Sequence, residues 1–248
     1  MTGEDAGVRR AGFVPLILPD ARGKRRWTGF GPVGAGCENR GMPGYAVLDL
    51  ETTGFSPRRG DRIVEIGIVL LDEQGRSQGE WGTLIQPWRD VGATSVHHIT
   101  DRDVAAAPTL EQVTGRLIAQ LRGRLVIAHN ASFDVSFLDT ELRRVGAELP
   151  PEPMPSVCTM RLGRTLLSPR PPTFKLADCC RAAGVSLRHA HSALGDARAT
   201  AELFGVYLDI ASALDGPAPW SGAGGRAEHY AWPVGLADPV DAPLLLRS

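Results

Sequence analysis

Residues 47–55 read Val-Leu-Asp-Leu-Glu-Thr-Thr-Gly-Phe. An apolar run of this kind forms a strand, yet it carries two carboxylates one residue apart before it stops at a glycine. Side chains alternate along a strand, so Asp49 and Glu51 share one face while Leu48 and Leu50 share the other. Two acids side by side repel, and burial deepens the repulsion. A solvated strand end would make the pair harmless. Its meaning therefore depends on whether other acids are aimed at the same place.

Two further segments answer that. In "HNASFDVSFL", a helix starting near Ala131 puts Asp134, Leu138, Leu142 and Val145 on one stripe. The stripe packs inward, so Asp134 is a carboxylate on the buried side of the first turn, where a helix N-terminus tolerates negative charge. In "HSALGDARATA", Asp196 shares a helix face with Thr200, Leu203 and Tyr207. His191 precedes it by five residues, ~140° apart if both were helical. Placed in the loop entering the helix, His191 leans over the same site; His189 lies further out and reads as a surface residue.

Four inward acids without counter-charge would each cost on the order of several kcal/mol. Divalent cations remove that cost. Ligands that are all oxygen select Mg²⁺ or Mn²⁺ over zinc. Two such ions roughly 3.5–4 Å apart suit in-line phosphoryl displacement.

Around these motifs the chain divides into three parts. Residues 1–43, rich in Gly, Arg and Pro, read as a loose extension, and 213–248 as a Pro/Gly-rich, loop-like tail. Between them, 44–212 is one dense block. "YAVLDLE", "RIVEIGIVLLD" and "EWGTLIQP" read as a strand meander. "TLEQVTGRLIAQLRG" reads as a helix with Leu110, Val113, Leu117 and Leu121 inward. The short strand "LVIAHN" and three helical stretches follow. Strands first and helices after, with one strand returning between helices, indicate an α/β layer with a mixed sheet.

Bulk composition only bounds the answer. With 43% hydrophobic and 22% charged residues the chain has an ordinary globular composition. A net charge of −1 advertises no polyanionic partner, although a local patch suffices for nucleic acid. Cys37, Cys158, Cys179 and Cys180 lack C-x-x-C spacing and read as reduced thiols of a cytoplasmic protein. The twin arginines Arg9 and Arg10 precede a short apolar run carrying Pro15, which does not read as an export signal. No stretch approaches the ~18 apolar residues of a membrane span. Met42, just ahead of the first strand, is a second candidate start.

"VLDLETTGF", "HNASFD" and "HSALGDA", in this order, resemble the three exonuclease motifs of the DEDDh family. The likeness is to its DnaQ-like branch, the epsilon proofreading subunit of bacterial DNA polymerase III and stand-alone relatives. It covers about residues 44–210. The tyrosine-bearing sister branch places its base where Ser192 stands, whereas His191 has the histidine spacing.

The resemblance implies a ribonuclease H-like fold with a five-stranded mixed sheet flanked by helices. It implies two divalent cations, Mg²⁺ or Mn²⁺, held by Asp49, Glu51, Asp134 and Asp196, with His191 as general base. Thr52, Thr53, Gly54 and Phe55 would meet the terminal nucleotide, with Phe55 wedged against its base. A substrate contact is also implied near "SVHHITDRDV", where His98 stands beside His97. Glu65 would be structural. Lys175, Arg58, Arg59 and Arg62 are either phosphate contacts or solvated charges.

The activity implied is 3′→5′ hydrolysis of DNA, at single-stranded 3′ ends, to nucleoside 5′-monophosphates in replication, proofreading or repair. RNA is the alternative substrate, as for ribonuclease T and oligoribonuclease. A non-catalytic binding module would be free to lose an acid or the histidine, and all five are present. The tail "DAPLLLRS" is a candidate for docking on a polymerase or sliding clamp.

Overall fold

Apolar strands stay ordered only where both faces find cover, and here two helical layers supply it. The computed structural model describes residues 44–188, 190–234 and 244–246, so the expectations for residues 1–43 and for His189 lie outside the described residues. Strands β1 (Tyr45–Thr52), β2 (Ile63–Leu71) and β3 (Ser77–Leu84) form an antiparallel meander. Strands β4 (Leu125–Ala128) and β5 (Ser156–Cys158) add in parallel on the far side of β1. The order is β3-β2-β1-β4-β5, a five-stranded mixed sheet with β1 in the middle.

The even face of β1, with Ala46, Leu48 and Leu50, packs on α3 (Leu110–Leu121) and α4 (Ala131–Arg144) through Leu117, Phe137 and Leu138. The odd face, with Tyr45 and Val47, packs on α6 (Leu176–Ala182) and α7 (Ala193–Ser212) through Cys179, Leu203, Phe204 and Tyr207. Each helix follows its sequence signal. Thr109 and Gln112 form a capping box at the start of α3, and Leu110, Val113, Leu117 and Leu121 all turn inward. Short helices α1 (Thr94–His97) and α2 (Asp101–Val104) lead from β3 to α3, and α5 (Thr159–Leu166) follows β5.

Three expectations need correction. The block after β4 holds four helices, α4 to α7, and the strand β5, not three helical stretches. At three residues β5 is too short to show a period. The third strand begins earlier than "EWGTLIQP" suggests and ends at Leu84, because Ser77–Gly79 complete the hairpin with Leu70 and Leu71.

The tail after residue 213 is also not all loop. Helix α8 (Ser221–His229) forms there despite its glycines. Packing outweighs propensity: Trp220 is buried with its ring 5.0 Å from that of Phe204, and Ala227 is buried beside it. Beyond α8, Tyr230 and Trp232 enter the opposite core, so the tail ties both faces of the sheet together. Leu245 then lies along β3, its carbonyl accepting from the Leu84 N–H at 2.7 Å. The segment proposed as a docking peptide is thus partly held by the chain itself.

One feature of the sheet creates the functional end. Strand β4 pairs with β1 only as far as Val47 opposite Ile127, so Asp49 and Glu51 lie past its end. The first turn of α4 enters the space left open. No helix among the described residues is long and apolar enough to cross a membrane.

Candidate active site

Three carboxylates from two elements converge at that end. Asp49 and Glu51 of β1 and Asp196 of α7 each offer an oxygen within 4.8 Å of the others. Strand alternation puts the first two on one face, and α7 covers that same face. Two residues of β2 let α7 come close enough. A Cβ on Gly67 would stand 2.3 Å from the backbone of Ala193 and Leu194, so only glycine admits the start of the helix. The buried Glu65 carboxylate accepts the Ala193 N–H at 3.0 Å and anchors the same turn.

Asp134, in the first turn of α4, is 3% exposed and stands outside the triplet. Its charge nevertheless adds to the burial that raises Asp49. Asp134 thus adjoins the triplet from the α4 side, opposite α7.

The electrostatics are those of a site built for cations. Burial, then the charges of Asp134, Asp196, Glu51 and Glu65, hold the Asp49 carboxyl well above the ordinary carboxylate range. Burial likewise pushes Asp134 up to about 8, against the pull of backbone hydrogen bonds from its own residue and from Leu50. Asp196 is raised by burial and eased by the His191 N–H and the His191 charge. Its Oδ2 accepts that N–H at 3.1 Å, while Oδ1 is buried with no hydrogen-bond partner among the described residues. An orphaned carboxylate oxygen facing other acids fits a divalent cation, and the all-oxygen donor set fits Mg²⁺ or Mn²⁺.

His191 lies in the loop entering α7, exposed and at φ 66°, a left-handed conformation uncommon outside glycine. That loop placement brings its backbone N–H to Asp196 Oδ2. Ser192 is the N-cap.

The turn after β1 explains its own residues. The Thr52 hydroxyl donates to the Gly54 carbonyl at 2.7 Å, and the Thr53 hydroxyl accepts the Arg62 N–H at 3.0 Å. Both are spent on the turn, so a substrate contact there would use the backbone. Gly54 is required by Asp61, whose carboxylate would sit 2.5 Å from a Cβ and accepts the Ser56 N–H at 3.0 Å. Phe55 is 85% exposed beside it. Of the histidine pair, His97 is buried with Nδ1 accepting the Ile99 N–H, and His98 is exposed at φ 61°.

The basic candidates fare differently. Arg62 bonds both oxygens of Glu141, at 3.0 and 2.9 Å, and Arg144 pairs with the same carboxylate. Arg62 is thus an internal ion pair. Lys175 is exposed at the start of α6, and Arg58 and Arg59 are exposed in the short 3₁₀ turn Pro57–Arg59. Sequence reasoning missed Asp61, Gly67 and Glu141, whose roles depend on partners far along the chain.

Known proteins resemble this chain. The family model RNase_T, described as exonuclease, matches residues 46–204. The DNA polymerase III PolC-type of Clostridium perfringens is 35% identical over 161 residues, covering 64% of this chain and 11% of that protein. The chain therefore matches about a tenth of that relative's length. Escherichia coli exonuclease I in complex with a dT13 oligonucleotide superposes with TM-score 0.58 at 18% identity, covering 66% of this chain and 40% of that one. The nuclease domain of 3′hExo, a DEDDh family member bound to rAMP, gives TM-score 0.57 at 19% identity, covering 69% and 94%. Both superpositions show the fold. With the family match spanning well over half of the chain, the chain belongs to the RNase_T exonuclease family, in its DEDDh branch, and is related to the PolC-type and epsilon-like proteins of DNA polymerase III.

Proposed function

We propose that the chain is a metal-dependent 3′→5′ exonuclease that releases nucleoside 5′-monophosphates from single-stranded DNA ends, with residues 44–212 as its catalytic unit. The observation that carries this reading is the meeting of Asp49, Glu51 and Asp196 within 4.8 Å, with Asp134 adjoining. Asp49, Glu51 and Asp196 would hold one divalent cation, and Asp49 with Asp134 a second. Bound there, such ions make water nucleophilic near neutral pH and stabilise charge on the departing 3′ oxygen.

The remaining work belongs to the chain. His191 takes the proton of the attacking water, which a neutral imidazole can do and a lysine or arginine, already protonated, cannot. Glu65 and Gly67 hold the start of α7, and so Asp196, against β1. The turn locked by Thr52, Thr53 and Asp61 presents Phe55 to the terminal base, and His98 offers a second contact.

DNA is preferred because the PolC-type relative is named for DNA synthesis and exonuclease I holds an oligodeoxynucleotide. RNA is the second reading, favoured by the ribonucleotide on the 3′hExo nuclease domain. A polymerase, as the name of the PolC-type relative suggests, or a sliding clamp is the proposed protein partner. The test is digestion of 5′-labelled DNA and RNA of matched sequence, single and duplex, with Mg²⁺ or Mn²⁺ and with chelator. Shortening from the 3′ end, stopped by chelator, is expected. Full activity in Asp49→Ala would put the site elsewhere.

A further inference from the structure

Among the described residues, two of the large side chains left exposed are aromatic: Phe55, 85% exposed, and Trp88, 75% exposed. They sit on different loops, and Asp61 joins those loops. Its carboxylate accepts the Ser56 N–H beside Phe55 at 3.0 Å and pairs with Arg89, next to Trp88, at 3.3 Å. Arg89 also donates to the Gly60 carbonyl. The two rings thus ride on one braced unit.

Trp88 opens onto a pocket of about 570 Å³ lined by Gly60, Arg62, Trp88, Arg89, Asp90 and Arg144. Its backbone is left-handed at φ 55°, which a bulky side chain rarely adopts. Exposed as it is, the ring returns little to folding for that strain. Charge around it is positive on balance. Arg62 and Arg144 share the single carboxylate of Glu141, and Arg89 is matched by Asp61. Asp90 adds one negative charge, and the exposed Arg58 and Arg59 of the adjoining turn add two positive ones.

We infer that Trp88 and the surrounding guanidinium groups form a second binding station for the substrate strand, beyond the terminal nucleotide held near Phe55. An unpaired base stacks on the Trp88 indole, and Arg89 and Arg144 meet the phosphates on either side. Stacking needs a free base face, so this station selects single strands over duplex. The inference rests on the exonuclease reading above and deepens it by assigning strand-length and strandedness preference to residues outside the acidic cluster.

The test separates the two. Binding of labelled single strands is read by fluorescence anisotropy in chelator, which needs no turnover, and cleavage is read as the kcat/KM ratio of a long strand over a dinucleotide. Trp88→Ala should weaken binding of a long strand about tenfold, the effect of one lost stack, and Trp88→Phe should restore most of it. The length preference in cleavage should fall by the same factor. Arg144→Gln should lower the salt dependence of binding by about one counterion. A strand made abasic throughout should lose the Trp88 dependence and keep that of Arg144. If Trp88→Ala binds and cleaves long strands like the parent, the station is refuted while the exonuclease reading stands. If the parent binds with the Trp88 dependence but cleaves neither substrate, the station stands and the exonuclease reading fails.

Discussion

Gly67 stands directly opposite Asp49 in the β1–β2 register, and the first turn of α7 occupies the place where its side chain would be. A missing methyl group on one strand thus decides how near Asp196 comes to the acids on the next. Gly67→Ala should push α7 outward and pull Asp196 from the triplet. The expected result is a fall of at least about 100-fold in kcat/KM, with a stability loss of ~1–3 kcal/mol from overpacking. Mn²⁺ titration and urea denaturation would read the two effects separately. Unaltered Mn²⁺ affinity would show that α7 is not seated by this contact.

Metal binding should be linked to protons. Burial raises Asp134 from its ordinary 3.8 to about 8. Between those values the folded chain holds a proton that the unfolded chain releases, so without metal stability falls as pH rises across that window. A divalent cation needs the deprotonated carboxylate, so its affinity should climb over the same range and its binding should release protons. In chelator, Asp134→Asn should melt several degrees higher than the parent near pH 8, and excess Mg²⁺ should stabilise it less than the parent. Thermal melts at pH 5 and pH 8, with and without Mg²⁺, check both signs.

Base and ligands should separate kinetically. His191→Ala removes a proton acceptor while leaving the acids in place. Single-turnover rates should drop by ~10²–10⁴ with Mn²⁺ affinity largely kept. Asp49→Ala should abolish both. A shared loss of metal in both variants would argue that His191 supports the cluster and does not take part in proton transfer.

Much of the site could be read from local pattern, because each motif carries its own geometry. Alternation alone puts Asp49 and Glu51 together, and the helix period alone turns Asp134 and Asp196 inward. What stayed illegible is what depends on distant partners. Gly67 looks like any strand glycine until α7 lies on it. Arg62 looks like a phosphate contact until it meets Glu141, 79 residues away. Asp61 sits in an unremarked turn, yet it explains Gly54 and braces Arg89. Strand β5 escaped because three residues show no period.

The tail escaped for a related reason, and it makes the last prediction. Its Gly and Pro content disguised Trp220, Tyr230 and Trp232, each at most 6% exposed and divided between the two cores. Local propensity is weak there, so the helix must be supported by tertiary contact. Trp220→Ala should cost ~3–5 kcal/mol, in line with removal of a large aromatic from a packed site. Truncation after residue 213 should cost more, since it uncovers apolar surface on both faces of the sheet at once. Urea denaturation of the full chain and of both variants provides the comparison. A truncated chain as stable as the parent would mean that the tail only rests on the core, and that the catalytic unit stands without it.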